Sequence, residues 1–389
     1  MTELRHGFTT GSCAAAASKA AIYMLLSGKE KQTISITTPS GKVFQTEVLD
    51  ITKGADYVQC AVKKDAGDDP DVTDGCLIYA KVRCCDLESA KNEADLKTVP
   101  AGGEADEGDA LEHTTVLIDG GVGVGRVIKE GLDQPVGNAA INHVPREMIE
   151  KEVTEVAEFF DYRGTIEVII SVPDGEELAA QTFNPRFGIV GGISIIGTTG
   201  IVEPMSSDAL LETIRIELNQ HRLAGEKSII ISPGNYGQDY MRETYGYDLD
   251  KAVKCSNFVG DTLDMLLELG FERLLFVGHI GKLAKVAGGI MNTHSMYGDH
   301  RMEIISEAAK VEGASDEVII SIMDCVATEA AVGLLDEAGI KDAVMERLLK
   351  QIVYHMTGRV DGKVKIDCIL YGNEYGALAK TPGADVWFS

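Results

Sequence analysis

In GHIGKLAK (278–285), His279, Lys282 and Lys285 have the types and spacing to do chemistry. The apolar run RLLFV before them is expected to be a core strand, with Gly278 to Gly281 turning sharply at its C-terminal end. His279 falls in that turn, and Lys282 and Lys285, three apart, share one face of the helix that follows. An imidazole beside two ammonium groups suits proton transfer or the reception of carboxylates. NTHSMYGDHRME (292–303) adds His294 and Arg301, and is expected to complete the same pocket. RHGFTTGSC (5–13) opens a helix with Arg5, His6, Thr9 and Thr10, where amides, hydroxyls and positive charge suit an anion. The glycines of GIVGGISIIGTTGIVEP (188–204) let backbone amides approach a ligand, yet they match neither G-x-G-x-x-G nor G-x-x-x-x-G-K-[ST]. KKDAGDDPDVTDG (63–75) crowds Asp around Pro70, an oxygen-rich loop without EF-hand spacing. Each motif also has a plainer reading: solvated lysines, a structural histidine, tight packing turns, helix capping and a self-capped Asp turn. His294 and His300 lie six apart, which is no recognised zinc spacing, so no metal site is expected.

The elements that must position these groups divide the chain in two. Residues 1–185 read as an α+β domain with a mostly antiparallel sheet. A helix over 9–28 is capped by Thr10 or Ser12 and ended by Gly28. Alternating runs at 33–38, 43–51, 57–64, 76–85, 113–119 and 165–173 predict strands, with a hairpin turn at PSG (39–41). Pro145 marks the start of an amphipathic helix over 144–160. Residues 86–112 hold nine acidic residues and two Lys, an exposed acidic insertion. Residues 186–389 read as a Rossmann-like α/β domain with a parallel sheet. Residues 188–204 form an apolar strand between glycine clusters, followed by a helix from Ser207 to about His221. Apolar runs at 228–235, 252–258, 263–270, 273–279 and 363–370 alternate with helices from Gly281, near 315–338 and over 341–357. No fixed-period repeat is present.

Composition excludes several classes. The chain has 389 residues and a net charge of −25, with no basic stripe, so nucleic acid is not an expected partner. No run reaches the roughly 20 apolar residues of a membrane span. Eight Cys without a C-x-x-C pair read as reduced, mostly buried thiols, and the chain is expected to be cytoplasmic. A homodimer is the base-rate expectation for any oligomer.

Five stretches, taken together, resemble the CbiD family of anaerobic cobalamin biosynthesis. They are GFTTGSCAAAASKAA (7–21), VKKDAGDDPDVTDG (62–75), DGGVGVGRV (119–127), NPRFGIVGGISIIGTTGIVEPMS (184–206) and GHIGKLAKVAGGIMNTHS (278–295). The resemblance implies methyl transfer from S-adenosylmethionine to carbon 1 of cobalt-precorrin-5B, giving cobalt-precorrin-6A. Cobalt arrives as part of the corrinoid substrate. It also implies an α+β N-terminal domain and a Rossmann-like C-terminal one. On that chemistry His279 is the first choice for a base and His294 the second. Arg5, Arg126, Lys282, Lys285 and Arg301 are candidate clamps for substrate carboxylates, with His6, Thr9 and Thr10 beside them. Gly192, Gly197, Thr198, Thr199 and Gly200 are expected at the cofactor, with Glu203 or Asp261 on its ribose. The usual acidic-G-x-G-x-G and G-x-G-P-G-D loops are missing. Two rival readings are a nicotinamide-dependent corrinoid reductase and a non-enzymatic corrinoid carrier.

Overall fold

The computed structural model describes residues 4–85, 99–100, 114–204, 206–235 and 237–388. Apart from Val99–Pro100, the acidic insertion expected at 86–112 lies outside the described residues. The chain forms two compact units, Met1–Ser206 and Ser207–Ser389, where the sequence reading places its change of character at 185/186.

Unit 1 is built on a six-stranded sheet. Its order is Leu49–Lys53, Tyr57–Lys63, Leu77–Cys85, Thr165–Ser171, Thr115–Gly120 and Val99–Pro100. All neighbours are antiparallel except Thr165–Ser171 with Thr115–Gly120, which run parallel. Alternation along Leu77–Cys85 buries Ile78, Ala80 and Val82 on one face. Against that face lies the helix Thr10–Ser27, whose Ala14 to Ala17 are fully buried. Four successive small side chains let strands and the helix His143–Phe159 approach it from several sides. Thr9 caps this helix, its hydroxyl accepting from the Ser12 amide, and Gly28 ends it in the left-handed region at φ 71°. The run 43–51 is two strands rather than one. Val43–Glu47 pairs back onto Thr33–Thr37 through the expected turn, and Leu49–Lys53 joins the main sheet.

Unit 2 has a five-stranded sheet in the order Val253–Lys254, Ser228–Ser232, Arg273–His279, Lys365–Gly372 and Gly376–Lys380. The first four strands are parallel; the last folds back antiparallel on its predecessor. Period-two alternation splits the strands between two cores. Leu274, Phe276, Cys368 and Leu370 pack under the helices, whereas Leu275, Val277, Ile369 and Tyr371 meet an aromatic layer of Tyr240, Tyr245, Trp387 and Phe388. The run 263–270 lies mostly in the helix Val259–Leu269. The expected strand across 188–204 is instead three two-residue pieces, Ile189–Val190, Gly192–Ile193 and Ile201–Val202, each paired to a different segment of unit 1.

Candidate functional site

In unit 2 the strand order reverses between Ser228–Ser232 and Arg273–His279, since the strand that follows the first in sequence lies on its other side. Ligands bind parallel sheets at the C-terminal ends of strands where the order reverses. Lys282 reaches over this point. Its Nζ donates to the carbonyls of Ser256 at 3.2 Å and Pro233 at 3.5 Å. Burial lowers the Lys282 pKa, because the charged form loses hydration there.

His279 ends its strand and caps the helix Ile280–Ala287. Its Nδ1 accepts from the Gly281 amide at 3.0 Å, so in the neutral ring the proton sits on Nε2. Nε2 lies 2.9 Å from Glu329 Oε1, which also accepts from the Asn373 amide at 2.7 Å. Glu329 Oε2 is buried and has no hydrogen-bond partner among the described residues. The Tyr371 ring meets the imidazole edge-on, 5.6 Å between centroids. His279 thus stands at the turn after the strand and Lys282 in the helix that follows, where the sequence reading places them. Glu329, fifty residues on, carries no local signal that sequence reading can use.

The other expected residues of unit 2 have different settings. Lys285 is buried and its Nζ donates to the carbonyls of Thr293 (3.3 Å) and Gly298 (2.7 Å), tying down the 292–298 loop. Exposed His294 spends Nδ1 on the Met296 amide at 3.2 Å. Arg301 forms a two-point pair with Asp299, which raises the guanidinium pKa and lowers that of the carboxyl. Asp261 lines a hollow of about 290 Å³ together with Asp208, Glu212 and Glu268.

In unit 1 three of the sequence motifs meet. Gly192–Ile193 runs parallel to Gly123–Val124, and Arg126–Val127 pairs antiparallel with Ile189–Val190. A Cβ on Gly192 would stand 2.2 Å from the Gly123 carbonyl oxygen, and one on Gly200 2.7 Å from Thr38 Cβ. These glycines let chain cross chain, which is a packing role. The 194–200 loop also caps the first helix. Gly11 donates to the Ile196 carbonyl (3.0 Å), Thr9 to that of Gly200 (3.2 Å), and the Thr10 hydroxyl accepts from the Ile196 amide (2.9 Å). The Gly11 amide and the Thr9 and Thr10 groups read as anion contacts thus hold the loop. Arg126 forms a two-point pair with buried Asp119 at 2.8 and 2.9 Å. Thr198 and Thr199 lie exposed in the same loop, and exposed Glu203 follows the strand Ile201–Val202.

Family comparisons cover both units. The CbiD family model matches residues 1–204, and the model for the CbiD C-terminal domain matches 292–382. The chain belongs to the CbiD family. Among curated CbiD relatives, the cobalt-precorrin-5B C(1)-methyltransferase of Ruminiclostridium cellulolyticum is 44% identical over 95% of this chain and 89% of its own. That of Thermoanaerobacter sp. is 41% identical over 99% and 97%. A crystal structure of the cobalamin biosynthesis protein (cbiD) from Archaeoglobus fulgidus is 27% identical, covering 80% of this chain and 85% of that one. Its TM-score of 0.36 is too low for the superposition to speak about the fold.

In this CbiD chain the Asp-crowded loop is self-capped. Arg5 clamps Asp65 at 2.6 and 2.8 Å, holding that carboxyl down at about 2. Asp68 and Asp74 take the amides of Arg5 and Ala66, and His6 bridges to Gly67. Among the described residues no group of three His, Cys, Asp or Glu is placed to hold a metal. Lys64 is buried, with its Nζ 2.6 Å from Asp71. Burial alone would push the Asp71 carboxyl up; the Lys64 bond and charge, with Thr73, outweigh it and hold the pKa below its usual value. Asp71→Ala strands a buried ammonium and should cost about 3–5 kcal/mol in urea unfolding. Because the folded pKa is depressed, the parent's stability from this carboxylate is complete above about pH 4. It is lost as pH falls through the folded value. The variant should lack that acid-side decline, and an unchanged profile would remove the pair from the stability account.

Proposed function

We propose that this chain transfers a methyl group from S-adenosylmethionine to carbon 1 of cobalt-precorrin-5B, giving cobalt-precorrin-6A. The observation that carries this is the shared activity name of relatives 41–44% identical over 95% or more of the chain, both units included. Cobalt is part of the substrate. Among the described residues no helix is long and apolar enough to cross a membrane.

The methyl donor is read into the strand ends of unit 2, taken as a Rossmann-like sheet. The groups there fit a small zwitterion. Among the described residues, Lys282 offers an ammonium held only by carbonyl oxygens, Glu329 Oε2 is an unpartnered carboxylate oxygen, and a Cβ on Gly234 would meet nothing within 4 Å. When bound, the cofactor supplies an electrophilic methyl on a sulfonium, so alignment with the carbon nucleophile carries much of the rate. Lys282 holds the cofactor carboxylate. His279 takes a proton from the macrocycle at Nδ1, giving up its bond to Gly281. Glu329, on the Nε2 proton, stabilises the imidazolium that results. Arg126 and Arg301 remain the cationic clamps proposed for substrate carboxylates, and His294 the second candidate base. The packing of Gly192, Gly197 and Gly200 moves the cofactor proposal from that loop to unit 2, where Asp261, in the first turn of the helix Val259–Leu269, stays the candidate for the ribose hydroxyls.

Calorimetric titration with S-adenosylmethionine, with and without a cobalt-corrinoid, tests the reading, NADPH serving as the reductase control. Binding of S-adenosylmethionine is expected; binding of NADPH alone would overturn it. Lys282→Met should weaken S-adenosylmethionine at least about tenfold. Unchanged affinity would remove Lys282 from the cofactor site.

A further inference from the structure

We infer that Tyr371 is a positioning residue that fixes the imidazole of His279 for proton transfer, an assignment that rests on the reading of His279 as the base. The two residues are register partners at the C-terminal ends of neighbouring parallel strands. Tyr371 is 1% exposed. The Tyr240 ring stacks on it at 5.8 Å between centroids, with 21° between the planes. Gly237 lies against its phenol end, where a Cβ would stand 2.4 Å from Tyr371 Cζ. A ring packed this closely has little room to move. The imidazole meets it at 5.6 Å and 72°.

Hydrogen bonds to the two ring nitrogens do not by themselves set the imidazole plane. The bonds to Gly281 and Glu329 pass through Nδ1 and Nε2, and the ring can rock about the line joining those atoms. An edge-on aromatic contact resists that rocking. The restraint matters most during the transfer itself. Nδ1 must then give up the Gly281 amide to take the proton, while Glu329 and Tyr371 still hold the ring. The same strand end serves both contacts, because Asn373, two residues past Tyr371, donates its amide to Glu329 at 2.7 Å. A base that loses its orientation reacts more slowly, and ligands that the ring does not hold bind as before.

The test reads methyl label moved from S-adenosylmethionine to cobalt-precorrin-5B by the whole chain. Tyr371→Leu should lower kcat at least about tenfold, with KM for both substrates within about twofold of the parent. Tyr371→Phe keeps the ring and should stay within about twofold of the parent kcat. Tyr371→Phe as slow as Tyr371→Leu would overturn the assignment. Added to His279→Asn, Tyr371→Leu should cost less than about twofold more, since its effect runs through the imidazole. Equal losses in both backgrounds, or an unchanged kcat in the parent background, would also overturn it. If circular dichroism shows that Tyr371→Leu does not fold, Tyr240→Leu takes its place. That half-buried ring backs Tyr371, and its loss should lower kcat about threefold in the parent background and not in His279→Asn. No change in the parent background would again overturn the assignment. Failure of the base reading would show separately, as His279→Asn alone keeping more than about half of the parent turnover.

Discussion

His279→Asn should lose about 100-fold in turnover, at a stability cost limited to the lost Glu329 hydrogen bond, about 1–3 kcal/mol. Asn is among the best helix caps, so its side-chain oxygen can still accept the Gly281 amide that Nδ1 accepts now. What Asn lacks is a titratable nitrogen. The substitution therefore separates the cap, which is visible in the structure, from the proton transfer, which is proposed. Turnover is read as methyl label moved from S-adenosylmethionine to the corrinoid, beside urea unfolding of the same sample. Retention of more than about half the turnover would end the base assignment. Glu329→Gln is the companion experiment. Gln still accepts from the Asn373 amide and from His279 but carries no charge, so the imidazolium formed in the proposed proton transfer loses its counter-charge. Turnover should fall at least about tenfold. Turnover within about twofold of the parent would leave Glu329 a purely structural partner.

Gly123→Ala should destabilise unit 1 by about 4 kcal/mol or more. Its φ is +72°, and a Cβ there would stand 1.7 Å from the Val172 carbonyl oxygen and 3.1 Å from the Gly175 amide nitrogen. Backbone on that side cannot yield as a flexible side chain would. Gly175 presses back, since its own Cβ would lie 2.0 Å from the Gly123 oxygen. Gly191→Ala is the control. It has a similar φ of +79° but no atom within 4 Å, so it should cost only about 1 kcal/mol. Denaturant midpoints of the two variants give the comparison. Equal losses would mean that conformational freedom, and not the crossing of chains, is what these glycines supply.

The relation between sequence and structure can be argued from the same residues. Alternation in LIYAKVRCC and the unbroken apolar run RLLFVGH were legible as strands, because a strand's burial pattern is written in its own side chains. The cap at Thr9 fell one residue before the positions read, and Gly28 closed the helix as expected. That His279 falls at a turn and Lys282 in the helix after it could be read because a turn and the start of a helix are local. The motifs that carry the CbiD resemblance were equally plain, since they are contiguous. Tertiary structure alone decided the rest. The 188–204 stretch looked like one apolar strand, but each of its short pieces is held by a different partner, and partners are invisible to periodicity. Its glycines looked suited to a ligand; what occupies their missing Cβ positions is Gly123, Thr9 and Thr38. Lys285 shares a helix face with Lys282, yet carbonyl oxygens of the 292–298 loop surround its ammonium. Glu329 and Asn373 reach His279 from far along the chain. A sequence determines which groups can do chemistry and which elements form locally. Which groups remain available depends on hydrogen bonds and close packing between distant segments, and only the folded chain brings those together.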